Sequence, residues 1–350
     1  MRIRQLSLPA WGWTSGAAPA AGARALAGPG GLVRRIVAVP ASARWVHTQF
    51  KRTDDGAGGG LQTLRRGLKF WLRCCWSSGA LQLSTSAFRE SALDSIAESC
   101  PELPLRPLRS YLRRGLGSER RALALQAHFE WLAQQLPMGV IDGLYAGRSI
   151  QLLDADAPPL EGLGLSLSCA ANLGREGELA LHLEWRGRTV MSLGFSVLDA
   201  KHVVGRYDAP LGPGARIVIG TLQGAREADA DLRELSSAAQ RLRPSALLVL
   251  AAQALTTAWG LAPPLGVAAG SHVYSGYASR RRKVELDYDT AWSEAGAQRS
   301  GHHYWTLPAR PVLRPDAEVE SRRRAQHRRR NALRESLLEA VRAEAVLLRR

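Results

Sequence analysis

Cysteine is scarce in this chain, and the few cysteines are poorly placed to bind a metal or form disulfides. They are Cys74, Cys75, Cys100 and Cys169, and no two have the C-x-x-C spacing of a zinc site. The adjacent pair cannot easily bridge to each other. Neither a metal centre nor a disulfide framework is predicted, and we expect free thiols in a reducing cytoplasm.

The chain also lacks a long apolar run. Its longest, residues 245–259, is shorter than the ~20 residues that a membrane-spanning helix needs, and Pro263 and Pro264 stop it. Near the N-terminus, Arg2 and Arg4 resemble the start of a signal peptide, but no Leu/Val-rich block follows them. No transmembrane segment is predicted, and we expect a protein that is cytoplasmic or peripheral to the inner membrane.

Four motifs of common enzyme classes are missing as well. The sequence contains no nucleophile elbow, no P-loop, no G-x-G-x-x-G fingerprint and no metal-ligand pair. These absences disfavour hydrolase, NTPase and dehydrogenase functions.

Positive charge is what the chain has in excess, with a net charge of +16. Residues 1–60 carry a net +6 and residues 316–350 a net +4, so the remainder carries less than half of the total. A protein built to bind nucleic acid usually concentrates such charge on its folded body. All but four of the 47 basic residues are arginines, which a GC-rich coding sequence explains better than selection for anion binding.

Changes in composition predict a leader followed by one domain. Residues 1–60 are rich in Gly, Ala and Pro and end in DDGAGGG, which is typical of a disordered leader and linker. Residues 61–350 are predicted to form a single domain. Within it, residues 61–140 are mostly helical, residues 160–315 form an α/β core and residues 316–350 form a basic terminal helix.

Two basic helices are candidates for contact with an anionic partner. In the first, from Leu61 to Cys75, apolar residues recur at helical spacing with Arg and Lys between them. This helix could lie on an anionic membrane surface, or pack on its own domain with its arginines outward. The terminal helix begins SRRRAQHRRR, which looks like an RNA-binding arm, but its glutamates favour a solvated face.

The core has the alternation of a sheet followed by a helical crossover. Period-two patterns predict strands at residues 163–169, 179–185 and 189–197, and a fourth strand at 216–222. Short connections force these four into an antiparallel meander. An apolar helix at 245–259 then leads to a strand at 264–269, which the right-handed crossover rule makes parallel to 216–222. The predicted fold class is α/β, in the sense that includes α+β, with a mixed, mainly antiparallel sheet, an N-terminal helical layer and a long basic C-terminal helix.

The candidate site lies where the strand connections change direction, since ligands in open α/β sheets collect beyond the strand ends there. Gln223 and Gly224 are the candidate cofactor-binding residues on one side, offering an amide and close backbone approach. Arg243, at the mouth of the apolar helix, would offer a fixed cation to an anion such as a pyrophosphate, or it is a plain surface residue. His272 and Tyr274 are the candidate catalytic residues for proton transfer, although a lone His after a strand is more often structural.

Several short segments, taken in order, resemble the VirK/YbjX family of bacterial proteins. They are IGTLQG, RLRP opening an apolar helix, LGVAAGSHVY, YDTAW, YWTLP and the terminal SRRRAQHRRR helix, and the likeness extends from about residue 65 to the end. Two departures are Ser245, where the family tends to have Lys, and Ala269 or Gly270, where Asn is common. The resemblance implies a role in virulence, envelope stress or tolerance of cationic antimicrobial peptides, without a defined reaction.

Two functions remain open. The order of meander, helix and strand is similar to the acyl-CoA-dependent N-acetyltransferase core, in which the cofactor pyrophosphate sits at the start of the crossover helix. By that likeness, acyl-CoA is a candidate cofactor and the core is acyltransferase-like. Alternatively, the chain is a non-enzymatic regulator whose basic helices bind RNA or an anionic lipid surface.

Overall fold

An eight-stranded sheet lies at the centre of the computed structural model, which describes residues 60–88, 93–158, 160–276 and 286–349. The predicted leader, apart from its last residue, lies outside the described residues. The strands are β1 (Ile150–Asp154), β2 (Leu163–Cys169), β3 (Leu179–Trp185), β4 (Arg188–Asp199), β5 (Ala215–Gly224), β6 (Ala262–Val267), β7 (Gln298–Arg299) and β8 (Tyr304–Thr306). Their order in the sheet is β1-β2-β3-β4-β5-β6-β8-β7.

Helices precede, interrupt and follow the strands in sequence, and several of them pack against the sheet. They are α1 (Gly60–Trp76), α2 (Ser78–Phe88), α3 (Asp94–Ser99), α4 (Ser118–Gln135), α5 (Met138–Tyr145), α6 (Asp229–Ala238), α7 (Pro244–Ala258), α8 (Tyr288–Glu294) and α9 (Ser321–Leu347). Among the residues that the structure describes, no helix combines the length and the apolar character needed to cross a bilayer.

Alternating leucines explain the regular part of the sheet. Leu165 pairs with Leu183, and Leu167 pairs with Leu181, so the apolar residues of β2 and β3 lie on the same face. β1 to β5 are antiparallel throughout. β5 and β6 are parallel neighbours, joined through α7. The structure confirms the predicted mixed, mainly antiparallel sheet.

The apolar helix α7 is almost wholly buried. Pro244 stands in its first turn, where a missing N–H leaves no hydrogen bond unmade. Gly260 follows its end with a φ of +62°, a conformation that glycine adopts without strain. A helix without charged residues can therefore form the layer that carries the chain from β5 to β6.

Three elements differ from the sequence-based expectations. The strand β1 was not predicted, because IQLLD has two adjacent leucines and a β-bulge between Gln151 and Leu153 in place of clean alternation. The segment HHYWTLPARP, whose sequence predicts an extended piece at the edge of the sheet, forms β8 between β6 and β7. The terminal helix begins at Ser321, because Asp316–Glu318 form a 3-10 turn behind Pro315.

The C-terminal half of α9 belongs to the core. It packs on α7 and β1, and its buried residues are Leu337, Leu338, Val341 and Ala345. The indole nitrogen of Trp259, just beyond α7, donates to the carbonyl of Ala345 at 3.2 Å. Deleting this helix would expose part of the core.

A buried histidine links the stability of this fold to pH. His128 on α4 is fully buried, and its Nδ1 accepts the N–H of Val197 on β4 at 3.1 Å. Burial lowers the pKa of His128 to about 3. In the unfolded chain the pKa of a histidine is about 6.5, so below that pH the unfolded state binds a proton that the folded state excludes.

We therefore expect the folded state to lose stability as the pH falls from about 6.5 towards 3. Between pH 7 and pH 5, His128 should account for a loss of about 2 kcal/mol in the free energy of unfolding. Urea titrations of the wild type and of His128→Gln at both pH values measure this difference. Equal losses in the two proteins would contradict the assignment.

Candidate functional site

The strands β5 and β6 separate at the position where the sequence predicts a ligand site. Their pairing runs from Arg216 opposite Ala262 to Ile219 opposite Gly266. β5 continues to Gly224, and this last part pairs with β4. The backbone N–H of Leu222 points instead to the hydroxyl of Tyr288, to which it donates at 3.3 Å. The side chain of Tyr288 thus occupies the opening between the two strands.

A buried polar cluster surrounds this opening. His272 is 2% exposed, and its Nε2 lies 3.2 Å from Oε1 of Glu176, which is also buried. The imidazole stacks on the ring of Tyr288, with centroids 5.2 Å apart and an interplanar angle of 18°. The hydroxyl of Tyr288 lies 3.1 Å from Oγ1 of Thr221, and burial raises the pKa of Tyr288 to about 12. Tyr288 is therefore a neutral hydrogen-bonding group at neutral pH.

The orientation of His272 is set by its two nitrogens. Nδ1 accepts the backbone N–H of Tyr274 at 3.4 Å, whereas the buried Nε2 lies beside Glu176 without making a hydrogen bond to a described residue. The ring of Tyr274 also lies beside the imidazole, with centroids 5.7 Å apart. His272 thus contacts Glu176, Tyr274 and Tyr288. A substrate would reach the imidazole only if the ring of Tyr274 or Tyr288 moved.

A close backbone crossing holds Glu176 over the sheet. A Cβ on Gly220 would overlap the carbonyl oxygen of Glu176, and a Cβ on Gly177 would overlap the backbone of Phe195. Glycine at both positions therefore lets the loop after the 3-10 turn Ala171–Leu173 lie directly on β4 and β5. This crossing brings the carboxylate of Glu176 to His272.

The remaining predicted site residues lie at the surface. Gln223 and Gly224 are exposed at the end of β5. Arg243 is exposed as well, directly before α7, and its Nη1 donates to the carboxylate of Glu294 at 2.8 Å. Glu294 also lines a small cavity of about 80 Å³ beside the first turns of α7. The structure thus brings His272 and Tyr274 together, and it pairs Arg243, the candidate cation for an anion, with the carboxylate of Glu294 at the surface.

A row of polar side chains crosses the sheet beside Gln223. Register pairs Ser166 with His182, His182 with Ser192, and Ser192 with Gln223. His182 bonds at 2.8 Å to Ser192 through Nδ1 and to the hydroxyl of Ser168 through Nε2, and its burial lowers its pKa. Sequence reasoning noted the alternation of these strands but overlooked the histidine at a polar position, which was the available signal.

A second buried charged group was also missed. Arg106 donates to the buried carboxylate of Glu178, and to the carbonyl of Gly177 at 3.3 Å. Burial raises the pKa of Glu178, and the guanidinium in direct contact opposes that rise. The hydroxyls of Tyr111 and Ser196 lie 2.9 Å apart, and Ser196 also accepts the N–H of Glu178. No spacing in the sequence relates residues this far apart, so no signal could have found the group.

The described residues contain no cluster of metal-ligating side chains. No group of three or more His, Cys, Asp or Glu side chains among these residues could hold a metal ion. The four cysteines are free thiols.

Comparison with known proteins identifies relatives without an assigned reaction. The profile of the family described as "Protein of unknown function (DUF535)" matches residues 59–343. The chain is 23% identical to the "Uncharacterized protein YbjX" of Escherichia coli (strain K12) over 234 residues, which are 66% of this chain and 68% of that protein. No solved structure matches. These matches confirm the resemblance in the sequence motifs.

The crossing at Gly220 makes a direct prediction about stability. Gly220→Ala should destabilise the protein by about 3 kcal/mol, because the added methyl group meets backbone that cannot rotate away. Gly212→Ala is the matched control, since a Cβ there has open space around it, and it should change stability by less than about 0.5 kcal/mol. Urea denaturation measures both variants, and equal stabilities would show that the loop does not rest on β5.

Proposed function

This chain belongs to DUF535, a protein family of unknown function, and we propose that it acts at the surface of an anionic bacterial membrane, on which α1 lies. The observation that carries the proposal is the exposed apolar face of α1. Leu68 is 63% exposed, Leu72 61% and Trp76 93%. Their four-residue spacing places all three on one side of the helix.

The opposite face of α1 fixes the helix to the protein. Phe70 and Cys74 are buried, and they pack with Leu81, Leu105 and Leu108 in a small cluster of their own. The exposed leucines and tryptophan therefore cannot turn inward without breaking this cluster. The buried face of α1 therefore anchors the helix to the protein, and its exposed apolar face is free to contact lipid.

Charge complementarity selects an anionic lipid surface as the partner. Arg65, Lys69 and Arg73 are exposed and follow the same four-residue spacing, next to the apolar face. α1 contains no acidic residue. Leu and Trp on one face with Arg and Lys beside them is the pattern of helices that lie in the membrane interface, where each basic residue contributes about 1 kcal/mol.

The basic run of α9 supports RNA binding less well. Arg322 and Arg323 both contact the carboxylate of Glu320, and Arg328 contacts that of Asp316. These ion pairs neutralise part of the positive charge that would otherwise bind the phosphates of an RNA. A role in envelope stress or antimicrobial-peptide tolerance fits a protein at the membrane surface better than one bound to RNA.

Vesicle flotation tests the proposed role of α1. The wild type should float with vesicles of phosphatidylglycerol and phosphatidylethanolamine, and binding should weaken at high salt. The double variant Leu72→Glu, Trp76→Glu should bind at least about a hundredfold more weakly, since burying each side chain contributes about 1.5–3 kcal/mol. Both side chains are exposed, so the variant should keep its fold.

Leu347→Glu is the matched control, because Leu347 is equally exposed but lies at the end of α9. It should bind like the wild type. Unchanged binding by the α1 variant, or no wild-type binding to phosphatidylglycerol vesicles, would refute the proposal.

A second candidate function is acyl-CoA binding, favoured by the separation of β5 from β6 behind a helix that starts at Pro244. The order of strands and helix is similar to the acyl-CoA-dependent N-acetyltransferase core. The start of α7 would then receive the pyrophosphate, with Arg243 released from Glu294. Tyr288 fills the opening, so a bound pantetheine arm would have to displace its side chain.

Acetyl-CoA should raise the Tm of the wild type at millimolar concentration if this second function holds. Arg243→Gln should reduce the shift, because it removes the cation nearest the start of α7. Arg310→Gln, an exposed arginine outside this region, should not. A Tm that acetyl-CoA leaves unchanged at millimolar concentration would count against acyl-CoA binding and would not affect the membrane proposal.

A further inference from the structure

The lining of a cavity beside Tyr274 carries more basic than acidic side chains. Its volume is about 170 Å³, and three guanidiniums line it, from Arg106, Arg109 and Arg175. Arg106 and Arg109 come from the 3-10 segment Leu103–Leu108 and the residue after it, whereas Arg175 comes from the loop that crosses the sheet. Two distant parts of the chain thus place their arginines around one opening.

Among the described residues, Arg106 is the one of the three guanidiniums that forms ion pairs with acids. Arg106 contacts both acids of this region, Glu178 directly and Glu102 at 3.5 Å. Neither Arg109 nor Arg175 has a carboxylate partner in the part of the chain that the structure describes. Burial lowers the pKa of Arg109, and the neighbouring charge of Arg175 lowers it further, while the carboxylate of Glu102 partly opposes both effects. The surplus charge of the cavity therefore lies on Arg109 and Arg175.

The lining also includes Glu102, whose carboxylate is already engaged by Arg106, and two neutral polar side chains. Ser110 and Asn172 line the same opening and can offer a hydroxyl and an amide to a ligand. Arg175 is held over the ring of Tyr274, 5.9 Å from its centroid, which fixes one guanidinium in place. Two unpaired guanidiniums with an amide and a hydroxyl suit a ligand that has several oxygen acceptors and a negative charge.

We propose that this cavity binds a phosphate group, held by Arg109 and Arg175 with Ser110 and Asn172 as additional donors. The cavity is smaller than the roughly 300–1,000 Å³ of a site for a drug-sized molecule, so it takes a single phosphate or a small phosphorylated headgroup. Guanidiniums bind the oxygens of such a group in pairs, which distinguishes them from the point charge of a lysine.

The position of the cavity leaves two sources for the phosphate. Leu105 and Leu108, directly before Arg109, pack against Phe70 and Cys74 of α1, and the charge of Arg73 on α1 acts on Arg109. The cavity would therefore lie near the membrane surface if α1 binds there, so a lipid could supply the phosphate. A free phosphorylated small molecule is the other source. The phosphate site itself does not depend on membrane binding.

The test compares the wild type with the double variant Arg109→Gln, Arg175→Gln. Arg310→Gln is the matched control. The probes are inorganic phosphate, pyrophosphate and glycerol phosphate, each measured by the Tm shift against chloride of equal ionic strength. The wild type and the control should be stabilised. The double variant should bind about tenfold or more weakly for each guanidinium lost. Without ligand, it should be at least as stable as the wild type, because two repelling charges are gone.

Two further measurements distinguish a lipid phosphate from a free phosphate, and they separate this proposal from the membrane proposal. Vesicles of phosphatidylcholine with phosphatidic acid should bind the wild type more tightly than the double variant if a lipid supplies the phosphate. The α1 variant Leu72→Glu, Trp76→Glu should still bind free phosphate, so failure of the membrane proposal would leave this result intact. If the double variant does not fold, the single variant Arg109→Gln at the exposed position replaces it.

The proposal is overturned if none of the soluble probes stabilises the wild type at millimolar concentration and phosphatidic acid does not improve vesicle binding. It is equally overturned if the arginine variants respond to the probes as the wild type does.

Discussion

The crossing of residues 176–178 over the sheet is the constraint on which the polar interior depends. Gly177 and Gly220 allow the backbone of this segment to lie directly on β4 and β5. As a result Glu176 faces His272 on one side, and Glu178 faces Arg106 on the other. A single tripeptide therefore carries both buried carboxylates, and neither could be moved without the other. Buried acids are costly unless a cation or hydrogen-bond donor meets them, so the segment fixes the positions of its partners as firmly as they fix it.

This arrangement also explains the surplus charge beside it. Arg106 cannot serve a ligand, because Glu178 and the carbonyl of Gly177 already engage its guanidinium. Arg175 directly precedes the crossing and is turned to the surface, where it meets Arg109 and Tyr274. The same backbone geometry that neutralises one arginine in the interior leaves two others unneutralised at the rim. The acid in the same lining, Glu102, is already engaged by Arg106, so the like charges of Arg109 and Arg175 repel one another there.

The sequence was informative where the pattern is local. The charge-free helix behind Pro244 and the alternating leucines of β2 and β3 led to α7, to the meander and to the parallel β5–β6 pair, because period and connection length determine such elements. It failed at β1, where a bulge removes the alternation. In the candidate site it placed His272 beside Tyr274, which are neighbours in sequence. It could not relate Arg106 to Glu178 or Glu176 to His272, because those contacts join segments that only the folded backbone brings together.

The distribution of positive charge shows why counting arginines along the chain is a poor guide to binding. The densest basic run, at the start of α9, meets the acids Asp316 and Glu320. α1 has fewer basic residues but no acid, and an exposed apolar face stands beside them. What a charged surface can bind depends on the charge left after internal pairing and on the apolar area next to it. By both measures the two basic helices differ: α1 contains no acid and has exposed apolar area beside its basic residues, whereas the C-terminal half of α9 completes the core.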